Sequence, residues 1–590
     1  MQGVAFHQQG QTQLAKPIYE QVLAQQPQHF DALHLLGVIE YQSQHAQRAV
    51  DLITRALAVK PHEVGALSNL GLALGELGRP EEAVTRFDQA LALRPDFAEA
   101  HYNRGNALMK LKRADEARAS FERAIETRPA HAPSHYNLGI ALYELSRFEE
   151  AVRSYERALS IRPDYAEAYS NRGDALQAMQ RYEAALESYD CALTHKSDYV
   201  EALSNRGNAL FHLGRPQEAL SSYDRALAQS PDYAEAHSNR GHALKDLGRR
   251  DEALRSYERA IEIAPDQGDA EWNRALFKLS ECHFSAGWEA FHHRKRIKDV
   301  SPIDWLEGVP VWQTGAPKGR VLVLAEQGIG DEIFLSKCLS LFAQRHGAPA
   351  CVTADARLLP LLVRSFPQIR FVDRSDRNSL DPQSFDLQMA LGDMAAVLSV
   401  DPSQDPHVSQ PHLRAREGPL DGLGVLDHPK RRPWVGLSWR SKNPKLGAGK
   451  SMTLMQMMQA FKDLEVDWIN LQYGDVSAEI EQVQSALGVR VHQIPGVDLT
   501  QDLDALLQLI AACDGVVTTS NSTAHFAGAI GKPGTVMVPF GRSKLWYWHL
   551  QDGPSIWYPS LNLVHANQLH EWDEPLLTAR RWIQTQPGRA

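Results

Sequence analysis

Self-similarity at a period of 34 residues constrains this chain more than any other feature. The segments SNLGLAL, YNRGNAL, YNLGIAL, SNRGDAL, SNRGNAL and SNRGHAL recur in the first half. Their glycines, with that of LLGVI, are Gly37, Gly71, Gly105, Gly139, Gly173, Gly207 and Gly241, each 34 residues after the last. Gly3 extends the register backward and Ala275 forward. Alanine follows at a fixed interval (Ala15, Ala49, Ala83, Ala117). An aromatic comes next in most copies (Phe87, Phe121, Tyr155, Tyr189, Tyr223). A proline closes each repeat (Pro27, Pro61, Pro95, Pro129, Pro163, Pro231, Pro265), with Ser197 the single gap. Small Gly and Ala let two antiparallel helices approach closely, the aromatic fills the space between neighbours, and proline ends the second helix. One helix pair cannot bury its apolar face alone, so copies stack. Met1 falls inside the first helix of the first repeat, which leaves either a trimmed helix or an upstream start.

This pattern resembles the tetratricopeptide repeat and covers residues 1–285. Two residues before the glycine stands an asparagine in seven consecutive copies: Asn69, Asn103, Asn137, Asn171, Asn205, Asn239 and Asn273. A carboxamide carries a donor and an acceptor, so a ladder of them can pair with an extended peptide backbone. The ladder resembles that of tetratricopeptide proteins that hold a polypeptide in their groove, O-linked N-acetylglucosamine transferases among them. The other reading is that Asn merely solvates the groove. A large concave surface favours a protein partner.

Composition narrows the rest. With 590 residues, 43% hydrophobic and 23% charged, the chain has the profile of a multidomain globular protein. A net charge of −10 gives no basic footprint for nucleic acid. The five cysteines (Cys191, Cys282, Cys338, Cys351, Cys513) lie far apart without CxxC spacing, which argues against disulfides and structural zinc. No apolar run is long enough for a transmembrane segment and no signal-peptide pattern opens the chain, so a cytoplasmic protein is expected.

After about residue 300 short apolar strands alternate with helices. RVLVLAEQ (320–327), ACVTAD, RFVDR and DLQMAL form one series; WVGLSWR (434–440), VDWINLQY, VRVHQI, GVVTTS and GTVMVPF form a second. A polar, Pro-rich stretch at 401–433 reads as a linker between them. The expected order is a repeat solenoid (1–285), a junction (286–318), an N-terminal lobe (319–400), the linker (401–433) and a C-terminal lobe (434–590). Ligands of such sheets bind outside the carboxyl ends of the strands. GAGKS (447–451) ends like a P-loop, but Pro444 replaces its first glycine; GIGDEI has Ile333 where a dinucleotide fingerprint needs its third glycine.

At TTSNSTAHFAGAIGKP a strand gives way to a helix, so Ser520, Asn521, Ser522 and Thr523 stand where free backbone N–H groups favour an anion. His525 follows about one turn on. N-capping by Asn or Ser is the plainer role for this segment. AEQGIGDE, the W-R-S-K-N-P-K loop, K-S-M-T-L, S-N-S-T-A-H-F-A-G-A-I-G-K-P and W-Y-P together resemble bacterial tetratricopeptide–glycosyltransferase fusions. Their catalytic half is similar to the ADP-heptose heptosyltransferase family (glycosyltransferase family 9). The junction motifs G-W-E-A-F-H-H-R (287–294) and V-P-V-W (309–312) fit the same fusions.

The resemblance implies an all-α tetratricopeptide superhelix followed by a two-lobed α/β GT-B glycosyltransferase. Such enzymes bind the acceptor mainly in the first lobe and a nucleotide-sugar in the second, with no further cofactor. The family's aspartate after the first strand matches Asp331, a general base for an acceptor hydroxyl, whose plainer role is to cap its helix. Glu326 is a second candidate. No D-x-D ends a strand, and Asp502 and Asp504 open a helix, so the implied scheme is metal-free. In it Arg440, Lys442, Lys445 and Lys450 neutralise the leaving diphosphate, with Ser438, Asn443 and Ser451 as hydrogen-bonding companions. The family carries an Asp-Thr pair where Ser520 and Asn521 stand here, so the donor sugar is left open. Trp546, Trp548, Trp557 and Tyr558 are candidates either for stacking or for the core. The expected function is transfer of a sugar from a nucleotide-sugar to a Ser or Thr of a protein held by the repeats, flagellin being one acceptor the resemblance suggests. A glycan or lipid-linked acceptor, or a non-catalytic scaffold, are the alternatives.

Overall fold

The computed structural model describes residues 2–266, 268–291, 294, 303, 305–313, 316, 318–418, 432–443, 447–541 and 544–586. The chain forms two compact units, Met1–Leu210 and Phe211–Ala590.

In the first unit helices of 13 and 14 residues alternate, as in Ala98–Lys110 and Ala114–Thr127 or Ala132–Glu144 and Phe148–Ile161. The opening helix, Gln2–Gln8, is shorter. The repeat glycines act as the spacing implied. A Cβ on Gly105 would lie 2.5 Å from Phe121 Cε1, and one on Gly71 2.7 Å from Phe87 Cε1. The aromatic ring of the second helix therefore lies against bare backbone of the first. Phe87, Phe121, Tyr155 and Tyr189 are all buried. Between repeats, arginines one residue before the glycine tie neighbouring helices: Arg104 Nε bonds Asp88 at 2.6 Å and its Nη1 bonds Ser120 at 2.6 Å.

The second unit holds the last repeats, Pro216–Gln229, Ala234–Asp246, Arg250–Ile263, Gly268–Ser280 and Phe284–Phe291, and an α/β region. Its first sheet comprises β1 (Val321–Leu324), β2 (Cys351–Ala354), β3 (Phe371–Asp373) and β4 (Leu387–Ala390) in the order β3-β2-β1-β4, all parallel. The second comprises β5 (Trp434–Ser438), β6 (Asp467–Asn470), β7 (Val491–His492), β8 (Gly515–Thr519), β9 (Gly534–Val538), β10 (Gly553–Pro554) and β11 (Leu561–His565). Its order is β10-β11-β9-β8-β5-β6-β7, parallel except for β10. Buried Val, Leu and Ile fill the central strands on both faces, as parallel sheets covered by helices require.

One core cluster runs from Leu279, Phe284, Trp288 and Phe291 through both sheets. Trp288 Nε1 donates to the Val400 carbonyl at 2.7 Å, and Phe284 packs edge-on against Trp557. Arg294 is fully buried, bonded to Glu326 Oε1 through Nε (3.0 Å) and to Asp393 Oδ1 through Nη1 (2.5 Å). The start of the expected junction is thus built into the core. The described part of the expected linker also packs: Leu413 N donates to the Ala529 carbonyl and Ser409 Oγ to that of Ile556. Residues 419–431 of that stretch, and Pro444 and Lys445, lie outside the described residues. The five cysteines are free thiols, and among the described residues no helix is long and apolar enough to cross a membrane.

Candidate functional site

Two cavities meet at the carboxyl end of β1. The larger, about 650 Å³, lies between Trp272 and Leu276 of the last repeat, Phe291, the β1 loop from Leu324 to Gly328, Arg374, and the segment Leu545–Tyr547. The smaller, about 350 Å³, lies between Gly328–Asp331 and the second sheet, where Lys442, Asn443, Lys450, Ser520, Asn521, Ser522 and His525 line it. Asp331, Gly328, Leu545 and Tyr547 belong to both walls.

Asp331 is the third residue of the helix Ile329–Ser336, and its carboxylate accepts from the Gly328 backbone N–H. That is the half of a capping box that the third helical residue supplies, since Gly328 at the cap has no side chain, so the capping role is real. The same geometry fixes the carboxylate at the meeting of the two cavities. Burial pushes its pKa up to about 6, against the pull of Lys450 and with help from Glu326. Lys450, 4% exposed, is held down to about 8 by burial while Asp331 opposes that shift. An acid from the helix after β1 and a base from the turn Ala448–Lys450 thus line the same smaller cavity, each shifted toward neutrality.

Beyond β8 the chain turns into the helix Ser522–Ala529. Asn521 caps it, its Oδ1 accepting from Thr523 N at 3.0 Å while its Nδ2 donates to Ser438 Oγ at 2.8 Å. Ser520 Oγ is buried at the cavity wall with no hydrogen-bond partner among the described residues. An unmatched hydroxyl beside a helix N-terminus is an arrangement that favours an oxyanion. His525 is buried and held neutral by desolvation; its Nδ1 meets Tyr558 Oη at 3.2 Å and its ring stacks on Trp548. Lys442 Nζ lies 5.7 Å from the centre of the Tyr473 ring, another wall residue.

Other candidates stand behind the wall. Ser438 Oγ joins Gln472, Asn521 and Thr523 in one buried network. Ser451 Oγ ties Ser441 N to the Gly447 carbonyl. Arg440 pairs with Glu479 at 2.5 Å and donates to the Asp475 carbonyl, and it lines neither cavity. Glu326 lines the larger cavity but is bonded to Arg294. Asp502 caps its helix through Ala505 N, and Asp504 pairs with Arg364. Trp548, Trp557 and Tyr558 are buried core, whereas Trp546 reaches the larger cavity.

The asparagines of the repeats make contacts that sequence alone does not show. Asn69 Nδ2 reaches His34 Nε2 (2.9 Å), Asn137 Nδ2 reaches Asn106 Oδ1 (2.7 Å), Asn171 Nδ2 reaches Tyr136 Oη (3.1 Å), Asn205 Nδ2 reaches Asp174 Oδ1 (2.8 Å) and Asn273 Nδ2 reaches Ser238 Oγ (3.2 Å). Each of these bonds joins one repeat to the repeat before it. Sequence reasoning missed Trp272, Leu276, Arg374 and Tyr473 as wall residues. Trp272 and Leu276 stand at repeat positions that elsewhere hold Tyr102 and Tyr136, or Leu72 and Ile140, so the repeat pattern carried no signal for them.

The N-terminal part of the chain is an array of tetratricopeptide repeats. The C-terminal part is a two-sheet α/β region with paired cavities at strand ends. Tetratricopeptide-repeat family models match residues 6–70, 68–133, 141–180, 166–199 and 198–266. Protein FlbA of Caulobacter vibrioides is 28% identical over 333 residues, 51% of this chain and 52% of that protein. The chain therefore spans about half the length of that curated relative. Among solved structures, MamA is 24% identical over 28% of this chain and 95% of its own, with TM-score 0.27. YrrB, described as a TPR protein with an unusual peptide-binding site, is 26% identical over 31% of this chain and 95% of its own, with TM-score 0.28.

Proposed function

We propose that the α/β region is a GT-B glycosyltransferase that moves a sugar from a nucleotide-sugar to a Ser or Thr hydroxyl of a protein bound by the repeats. The observation that carries this reading is the position of Asp331 where two cavities meet. The smaller cavity takes the nucleotide-sugar. Lys450, the N–H groups that open the helix Ser522–Ala529 and the Ser520 hydroxyl converge there on the site of a diphosphate. Charge developing on the leaving group is met by these fixed groups without a metal. The larger cavity holds the acceptor, and Asp331 takes its proton as the oxygen attacks the anomeric carbon. His525, neutral and caged by aromatic rings, fixes the floor between Gly330 and Tyr558.

A thermal-shift screen of the full chain against UDP, GDP, ADP, CMP and their sugar conjugates tests this. A nucleotide at 100 times its dissociation constant stabilises the native state by about 2.7 kcal/mol. The expected result is a shift with one nucleotide class that Lys450→Ala removes. No shift with any of them favours the second reading, a repeat scaffold whose α/β region binds partners only, which the tetratricopeptide content supports independently.

A further inference from the structure

The turn that leads into Asp331 is held at each of four consecutive residues. Ala325 N donates to Thr353 Oγ1 at 2.9 Å, the Gln327 carbonyl accepts from Arg374 Nη1 at 2.9 Å, and Gly328 N donates to the Asp331 carboxylate. Between them Glu326 is held by Arg294, whose Nε and Nη2 both donate to Glu326 Oε1, at 3.0 and 2.5 Å. Thr353 and Arg374 belong to the α/β region itself. Arg294 instead stands three residues beyond Phe291, where the last helix of the repeats ends. Its Nη1 donates to Asp393 Oδ1, in the first turn of the helix Leu391–Val397 that follows β4. β1 and β4 are neighbours, so one guanidinium joins two adjacent carboxyl ends, where ligands of such sheets bind. Glycine at 392 leaves room for it: a Cβ there would lie 2.7 Å from Arg294 Nη2 and closer still to Glu326 Oε1.

We propose that Arg294 is a positioning residue for Asp331: by fixing Glu326 it sets the geometry in which Asp331 faces the larger cavity, and it makes that geometry depend on the end of the repeats. The inference rests on the transferase reading for the role of Asp331 as base, and adds to that site a residue from outside the two sheets.

Two observations favour positioning over a merely structural ion pair. Glu326 lines the larger cavity together with Asp331, and its carboxylate acts on the Asp331 carboxyl through space, pushing that pKa up. Arg294 is also fully buried, and desolvation offsets much of the attraction in a buried pair, so stability alone gives little reason to keep one. Other charged and titratable groups surround Asp331. Glu332 is on its own helix, Tyr547 and Tyr558 lie beyond β9, and His525 packs against Gly330. Lys450, Lys442 and Arg357 line the smaller cavity, and Arg374 and Arg377 the larger. Lys450 pulls the Asp331 pKa down and Glu326 pushes it up, so removing the Glu326 charge moves the titration of Asp331 to lower pH.

Melting temperatures of the full chain, followed between about pH 4 and pH 8, test the proposal without any ligand. The gain that Asp331→Asn gives over its own background reports the titration of Asp331, and in the native background it rises through about pH 6. With Glu326→Gln, which keeps the shape and removes the charge, that rise is expected about one pH unit lower. In an Arg294→Lys background a single ammonium replaces the planar fork, and Glu326 no longer stands fixed beside Asp331. There the same Glu326→Gln change is expected to move the rise roughly half as far or less. Arg294→Gln serves as the background if Arg294→Lys does not fold. A rise that Glu326→Gln leaves in place, or moves equally in both backgrounds, overturns the proposal. In transfer assays with the nucleotide-sugar found by the thermal-shift screen, Arg294→Lys and Glu326→Gln each lower kcat about 10²-fold and leave KM for the donor unchanged. A raised KM with kcat kept overturns the proposal as well. A coupled shift of the rise in a chain that transfers no sugar from any nucleotide-sugar sinks the transferase reading alone.

Discussion

At the scale of single residues, the pair Asp331 and Lys450 decides what the site does with pH. The carboxyl pKa of about 6 means that a base is present only above that value, and the ammonium pKa of about 8 means that a cation is present only below it. Transfer is therefore expected to follow a bell between roughly pH 6 and 8, with Asp331→Asn lowering kcat by about 10²–10⁴-fold. A pH–rate profile with no acid limb near 6 removes Asp331 from the role of base. The same shift has a sign in stability. The folded pKa lies above the usual 3.8, so stability is complete below that value and is lost as pH rises through about 6. Asp331→Asn should then melt higher than the parent at pH 8 and alongside it at pH 3.5. Asp331 is singled out in the sequence by the family resemblance, with capping of its helix as the plainer role, and the bond it accepts from Gly328 N is a contact that only the folded turn makes. The pairing of Arg440 with Glu479 was not legible, because it joins a strand end to a helix 39 residues away.

At the scale of elements, one turn recurs through the repeats with its middle residue at positive φ. Gly78, Gly214 and Gly248 each sit at 71°, and Lys112, Ser146 and Gln180 occupy the same place at 57°, 58° and 60°. A side chain there costs about 1–2 kcal/mol relative to glycine. Lys112→Gly is expected to stabilise the first unit by a comparable amount, less the entropy glycine adds to the unfolded chain, so a net gain of ~1 kcal/mol should appear in urea denaturation. An unchanged or lower midpoint counts against strain at this turn. The repeat helices could be read from spacing because each contact repeats with the period. The α/β strands could be read from their apolar runs, but β10 and β11 could not. Leu561–His565 is five residues long and interrupted by Asn562, and only its parallel pairing with β9 makes it a strand.

At the scale of the molecule, the last repeats share a core with the two sheets. A fragment beginning at residue 286 would expose the partners of Phe284 and cut through the helix that carries Trp288 and Phe291. It is expected to be insoluble, whereas a fragment from Val200, which keeps the whole helix Val200–His212, should give a soluble, cooperatively melting protein. Equal solubility of the two would show that the shared core contributes little. By itself the sequence determined the tetratricopeptide array and the two α/β series, because periodic contacts and apolar strand runs are written in local spacing. Only tertiary structure decided that Trp272 of a repeat and Trp546 of the turn between β9 and β10 share a cavity wall, and that the asparagines tie repeat to repeat. Those contacts join residues remote in sequence, and their strength comes from burial that no local pattern encodes.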